Sequence, residues 1–179
     1  MSNNRLNSAW MAGIAASLMI FFWLAGTAAY AAAKPDTNAT AAFEKLKSLA
    51  GTWEAANQRG KITSSYEVIS NGTAVAEHIH VPGESEMLTV YHLDGDHLVL
   101  THYCTAGNQP RMQAETYDPA SNQLVFRFAG GDNLSNPNTG HMHNVTFKFA
   151  GNDEFSADWG FQENGKAKFV ENIEYHRVK

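Results

Sequence analysis

From Trp53 to the C-terminus the chain alternates apolar and polar residues in short runs, each ended by turn-forming residues. Side chains two apart on an extended strand share a face, so each run carries one apolar face and one polar face. The runs cover roughly 52–58, 61–69, 73–81, 86–93, 97–104, 111–117, 123–129, 141–150, 154–161 and 167–178. Ser70-Asn-Gly72, Asp94-Gly-Asp96, Asp118-Pro-Ala-Ser-Asn122, Gly151-Asn-Asp153 and Glu163-Asn-Gly165 separate them. Asn-Gly and Asp-Gly supply the positive φ angles that tight hairpins need. Laid flat, such a meander would leave two unpaired edges, and closing the sheet removes them. The pattern predicts an all-β fold, a closed antiparallel up-and-down β-barrel of about ten strands. Its inward face would carry Leu124, Phe126 and Phe128, then Val145, Phe147 and Phe149, then Phe155, Ala157, Trp159 and Phe161. Gly130 to Gly140 is the one long connection and a natural rim.

Upstream of the strands, residues 40–50 predict one short helix, with Phe43, Leu46 and Leu49 or Ala50 on one stripe. Asn38 or Thr40 would cap it and Gly51 would end it. Residues 1–31 have the pattern of a secretory signal peptide: Arg5, an apolar stretch from Trp10 to Ala25, and Ala29-Tyr-Ala31 as a small-x-small cleavage site. The apolar stretch falls short of the about 20 residues that span a bilayer. The expected organisation is a signal peptide over 1–31, a flexible lead over 32–39 and a single barrel domain over 40–179, exported to the periplasm or beyond. The only expected tie to a membrane is an uncleaved signal segment.

Cleavage after Ala31 would leave 148 residues (179 less 31), with 12 basic (13 less Arg5) and 18 acidic side chains. That net charge of −6, with no lysine or arginine run, argues against nucleic acid as a partner. Cys104 is the only cysteine, so no intrachain disulfide holds the fold.

The candidate site begins in Leu98-Val-Leu-Thr-His-Tyr-Cys104, where Leu98, Leu100, His102 and Cys104 share a face. An apolar face that ends in imidazole and thiol, followed by Asn108, Gln109 and Arg111, reads as the polar end of a pocket. His141, His143 and Trp159 join it as candidate ligand-binding residues, and the guest would be a small, partly apolar molecule. The rival reading is a transition-metal site. His78-x-His80 and His141-x-His143 each place two imidazoles on one strand face. Alternation sets His78 and His80 opposite Val75, Ile79 and Val81, toward solvent. A zinc or copper site would therefore use His102, Cys104, His141 and His143, with metal- or thiol-dependent catalysis as its consequence. His176, considered as a haem ligand, shares a mostly polar face with Asn172 and Glu174. The chain carries no His-Glu-x-x-His, Gly-x-Ser-x-Gly or Cys-x-x-Cys motif, so no catalytic residue is assigned.

Gly51-Thr-Trp53 at the entry to the first strand, with Arg177 near the end of the last, resembles the opening and closing residues of calycin barrels. The resemblance implies that Arg177 packs across Trp53. The stretch from Met87 to Cys104, then Gly107-Asn-Gln-Pro-Arg-Met112, His141-Met-His143 and Ala157-Asp-Trp159, resembles a group of bacterial exported proteins with a lipocalin-like domain. That resemblance covers nearly all of the chain after residue 31. It implies a barrel with a pocket, and no particular activity.

Overall fold

The computed structural model describes residues 37–179; the signal peptide and most of the lead expected from the sequence lie outside them. The described chain is one α-helix, α1 (Thr37–Lys47), followed by ten strands, with a single 3-10 turn at Ser70–Gly72. These are β1 (Gly51–Asn57), β2 (Gly60–Ile69), β3 (Ala74–His80), β4 (Met87–Asp94), β5 (His97–Tyr103), β6 (Gln109–Asp118), β7 (Gln123–Asp132), β8 (His141–Phe149), β9 (Glu154–Glu163) and β10 (Lys166–Arg177). Every strand pairs antiparallel with its sequence neighbour, and β1 pairs with β10 to close the barrel. Asn164 and Gly165, at φ 54° and 69°, show the turn chemistry that makes the β9–β10 hairpin tight.

Several boundaries differ from the expectation. The helix starts and ends three residues earlier, because its buried stripe is Ala39, Ala42, Phe43 and Leu46, the i, i+3, i+4, i+7 spacing of one helix face. Two alanines on that stripe make a weak apolar signal. Strand β6 starts at Gln109 rather than 111, and β7 runs on to Asp132, so the long connection shrinks to 133–140.

In an up-and-down barrel alternate hairpins fall at the same end. The β2–β3, β4–β5, β6–β7 and β8–β9 turns share one end with α1, which packs near β4, β5 and β6 and plugs it. The β1–β2, β3–β4, β5–β6, β7–β8 and β9–β10 connections ring the other, open end. The plugged end is aromatic: Phe155 meets Trp53 edge-on at 4.7 Å and stacks on Tyr175 at 4.8 Å.

Closure rests on two residue pairs, Trp53 with Arg177 and Glu54 with His176. The Arg177 guanidinium lies 4.1 Å from the Trp53 ring centre. It donates to the carbonyls of Ser48 (3.0 Å), Ala50 (2.8 Å) and Asn152 (2.9 Å), while the Trp53 indole N–H donates to Leu49 O at 2.7 Å. Gly51 sits beneath it at φ +124°, where a Cβ would come 3.0 Å from Arg177 Nη1. Above Glu54 the ladder between β1 and β10 stops. Side chains cross the gap instead: Asn57 Nδ2 and Arg59 Nη2 donate to Glu171 Oε1 at 3.2 and 2.7 Å, and Arg59 also pairs with Glu84. A cleft of about 570 Å³ opens there, lined by Asn57, Arg59, Phe169 and Glu171 among others.

Among the described residues one carboxyl side chain lies inside the barrel. Glu77, 1 % exposed, stands between Val75 and Ile79 on the inward face of β3. Its Oε1 accepts from Ser64 Oγ (2.9 Å) and Tyr66 OH (2.5 Å), and its Oε2 accepts from Tyr91 OH (2.5 Å). Burial pushes this carboxyl above its ordinary value, and the donated hydrogen bonds offset that only in part. A carboxyl raised in the folded state gives stability that is complete below its unfolded value and is lost as pH climbs through the folded one. In urea unfolding followed from about pH 4 to about pH 8, the parent should therefore lose stability relative to Glu77→Gln as pH rises above the ordinary glutamate value. Glu77→Ala, which strands three buried hydroxyls, should cost on the order of 3 kcal/mol at any pH in that range. A parent-to-Gln difference that does not change with pH would refute the raised carboxyl.

Candidate functional site

The open end collects the polar residues of the interior. On β5 the alternation places Leu98, Leu100 and His102 inward, all buried. His102 is 2 % exposed; its Nδ1 lies 2.9 Å from Thr89 Oγ1 on β4, the strand it pairs with. Its ring packs on Trp159 of β9 at 4.8 Å. Its Nε2 is buried without a hydrogen-bond partner. Burial lowers the His102 pKa to about 4, so the ring is neutral at physiological pH.

Asn108 enters from the start of β6. Its backbone carbonyl accepts from the Cys104 N–H at 3.1 Å, which closes the β5–β6 turn. Its side-chain Nδ2 donates to Gly140 O at 2.8 Å, across to the entry of β8. Asn108 is 2 % exposed, and its Oδ1 also has no partner.

Next to Gly140 begins a second group. His141 Nδ1 lies 2.7 Å from Thr139 O, and its Nε2 lies 3.1 Å from His143 Nδ1. Phe128 of β7 packs on both rings, at 4.4 Å from His141 and 5.2 Å from His143. The register of β8 against β9 shifts between Met142 and Asn144, so His143 occupies a bulge. Burial, then the His141 and Arg127 charges, lower the His143 pKa.

The structure thus places His102, Asn108, His141, His143 and Trp159 together at one end. It separates Gln109 and Arg111 from them. The inward positions of β6 are Pro110 and Met112, so the residues between face outward. Arg111 is exposed and pairs with Asp132 at 3.3 Å, and Gln109 Oε1 accepts from Asn133 at 2.8 Å. Cys104 is half-buried in the turn, its thiol against the backbone of Thr105 and Ala106, and burial raises its pKa. A protonated thiol with no hydrogen bond to His102 is a poor nucleophile. The zinc or copper quartet does not assemble: among the described residues no three His, Cys, Asp or Glu side chains converge as a metal requires. His78 pairs with Glu86 on the outer surface, His80 is exposed there, and His176 is exposed beside Glu154.

Sequence reasoning missed Thr89 as the partner of His102 and Glu77 as a buried carboxyl. Glu77 was detectable, as a carboxylate in phase with Val75, Ile79 and Val81. Thr89 gave no such signal, since a threonine is ordinary on either face of a strand.

A group that is neutral when folded and charged when unfolded destabilises in acid. His102 contributes stability that is present above its ordinary 6.5 and is lost as pH falls toward about 4. The full effect amounts to about 3 kcal/mol. His102→Gln should therefore flatten the acid limb of the stability curve between those values, measured by urea midpoints at successive pH. Parallel curves for parent and variant would contradict the buried neutral imidazole.

No protein-family model matches the sequence, and no curated protein matches it. Among solved structures the chain is similar to Rv2717c from M. tuberculosis, with a TM-score of 0.51 and 14% sequence identity. The match covers 77% of this chain and 98% of that one, and at this identity it is a likeness of fold.

Proposed function

We propose that this protein is a non-catalytic binding barrel that holds a small, partly apolar molecule at its open end. The observation that carries the reading is the pair of buried, partnerless polar atoms, His102 Nε2 and Asn108 Oδ1, at the end that α1 leaves unplugged. Buried polar groups in folded proteins are almost always hydrogen-bonded, so two orphans at one end call for a guest or bound water. Trp159 and Phe128 offer ring faces beside them. The combination of aromatic wall and few polar groups is that of small-molecule sites. The elevated Cys104 thiol and the absence of a catalytic motif favour binding over chemistry. The reading includes kinship with exported lipocalin-like proteins and removal of residues 1–31 on export.

Native mass spectrometry of the protein purified from its own host tests both parts. The expected spectrum shows a chain beginning after Ala31 that carries an organic mass released on denaturation. In Trp159→Leu the carried fraction should drop at least about ten-fold. A chain that is always empty, with parent and variant alike, refutes binding. A full-length chain in the cytosol refutes export.

A further inference from the structure

We propose that the cleft in the seam between β1 and β10 is a binding site for a flat aromatic cation, whose ring stacks on Phe169 and whose N–H edge pairs with Glu171. It uses none of the residues of the open-end site and is independent of the binding reading above.

The ladder between β1 and β10 stops at Glu54 and His176, and the cleft of about 570 Å³ occupies the gap beyond. That volume falls within the range of small-molecule sites. Phe169 forms its apolar wall and is 49 % exposed. The Phe169 ring stacks on Phe161, its register partner on β9, at 4.9 Å and 5°. β9 lies on one side of β10 and the gap lies on the other. A Phe169 ring covered by its β9 neighbour therefore turns its second face to the gap. That face is a platform for another flat ring.

The polar wall stands two residues further along. Glu171 shares the Phe169 face of β10, about 6.6 Å away along the strand, within reach of a substituent on a ring stacked there. Its Oε1 is taken by Asn57 Nδ2 at 3.2 Å and Arg59 Nη2 at 2.7 Å, and no described residue donates to Oε2. Asn57 is committed at both ends of its amide, since its Oδ1 accepts the Arg59 backbone N–H at 2.8 Å. The carboxylate is thus held in place with one oxygen open. Arg59 also pairs with Glu84, so two carboxylates share one guanidinium and negative charge is in excess. Lys168 of β10 is paired with Glu163 at 3.3 Å. A planar cation with N–H donors satisfies both walls, through the ring face and through a charge-assisted hydrogen bond. An anion would face Glu171 and Glu84. The Arg59 bridge spans the gap, which leaves room for a small molecule and not for an added strand.

The test follows three probes of one shape by NMR on the isotope-labelled protein: benzamidine, benzamide and benzoate, as cation, neutral amide and anion. Benzamidine should bind saturably and shift the backbone amide signals of Phe169 to Asn172 and of Asn57 to Arg59. It should bind at least about ten-fold more tightly than benzamide, and benzoate should not bind. Phe169→Leu, which keeps an apolar side chain without an aromatic face, should weaken benzamidine at least about three-fold. Glu171→Gln should bring benzamidine down to the level of benzamide. Phe169 is half exposed, so Phe169→Leu keeps the fold and decides the matter if Glu171→Gln loosens the seam. No saturable shift at the cleft, equal binding of benzamidine and benzamide, tighter binding of benzoate, or an affinity unchanged in Phe169→Leu each overturns the proposal. Benzamidine shifts confined to Trp159 and His102 overturn it as well, while supporting the open-end site.

Discussion

A ten-stranded meander is a ring only because its first and last strands meet, and here they meet at Trp53 and Arg177. Only two residue pairs join β1 to β10. The guanidinium compensates for that short ladder. It covers the indole face, a cation–π contact of about 0.5–2 kcal/mol depending on solvation, and it satisfies two carbonyls, of Ser48 and Ala50, at the exit of α1. The helix that plugs one end and the seam that closes the wall are thus tied by one side chain. Because that end is sealed with aromatics, polar function has only the opposite end to occupy.

The interior is graded along the barrel axis. Trp53, Phe147 and Phe155 fill the plugged end, Glu77 and its three hydroxyl donors sit deeper in the wall, and His102, Asn108 and His141 lie at the open end. A buried carboxyl is tolerable when each lone pair it exposes finds a donor. Here Ser64, Tyr66 and Tyr91 provide them, so the polar column is a built feature of the fold. At its upper terminus His102 Nε2 and Asn108 Oδ1 are buried without a hydrogen-bond partner, as is the Tyr175 hydroxyl toward the plugged end.

Much of this was readable from period-two hydrophobicity. The ten strands, the closed barrel, the inward placement of His102 and the outward placement of His78 and His80 all follow from alternation. Alternation fails where a turn resets the phase. Between Cys104 and Gln109 the chain reverses, and Asn108, Pro110 and Met112 become the buried positions, which sends Gln109 and Arg111 outside. The bulge at His143 is a second such reset. Contacts set by register between distant strands, such as Thr89 with His102 or Asn108 with Gly140, have no local signature. Glu77 did have one. The two histidines that follow it, His78 and His80, belong to the outer face of β3.

The short seam has a consequence for how this barrel survives in a crowded compartment. Above Glu54, β10 keeps a flank of backbone donors and acceptors that β1 does not match, which is the template on which strands from other copies add. Lys166, Lys168 and Glu174 place charge along that flank, and the register break between Ala167 and Phe169 bends it away from a straight strand. Arg59 reaches over it to Glu171. Charge, bend and the Arg59 bridge are the features that oppose strand addition at this gap in the seam.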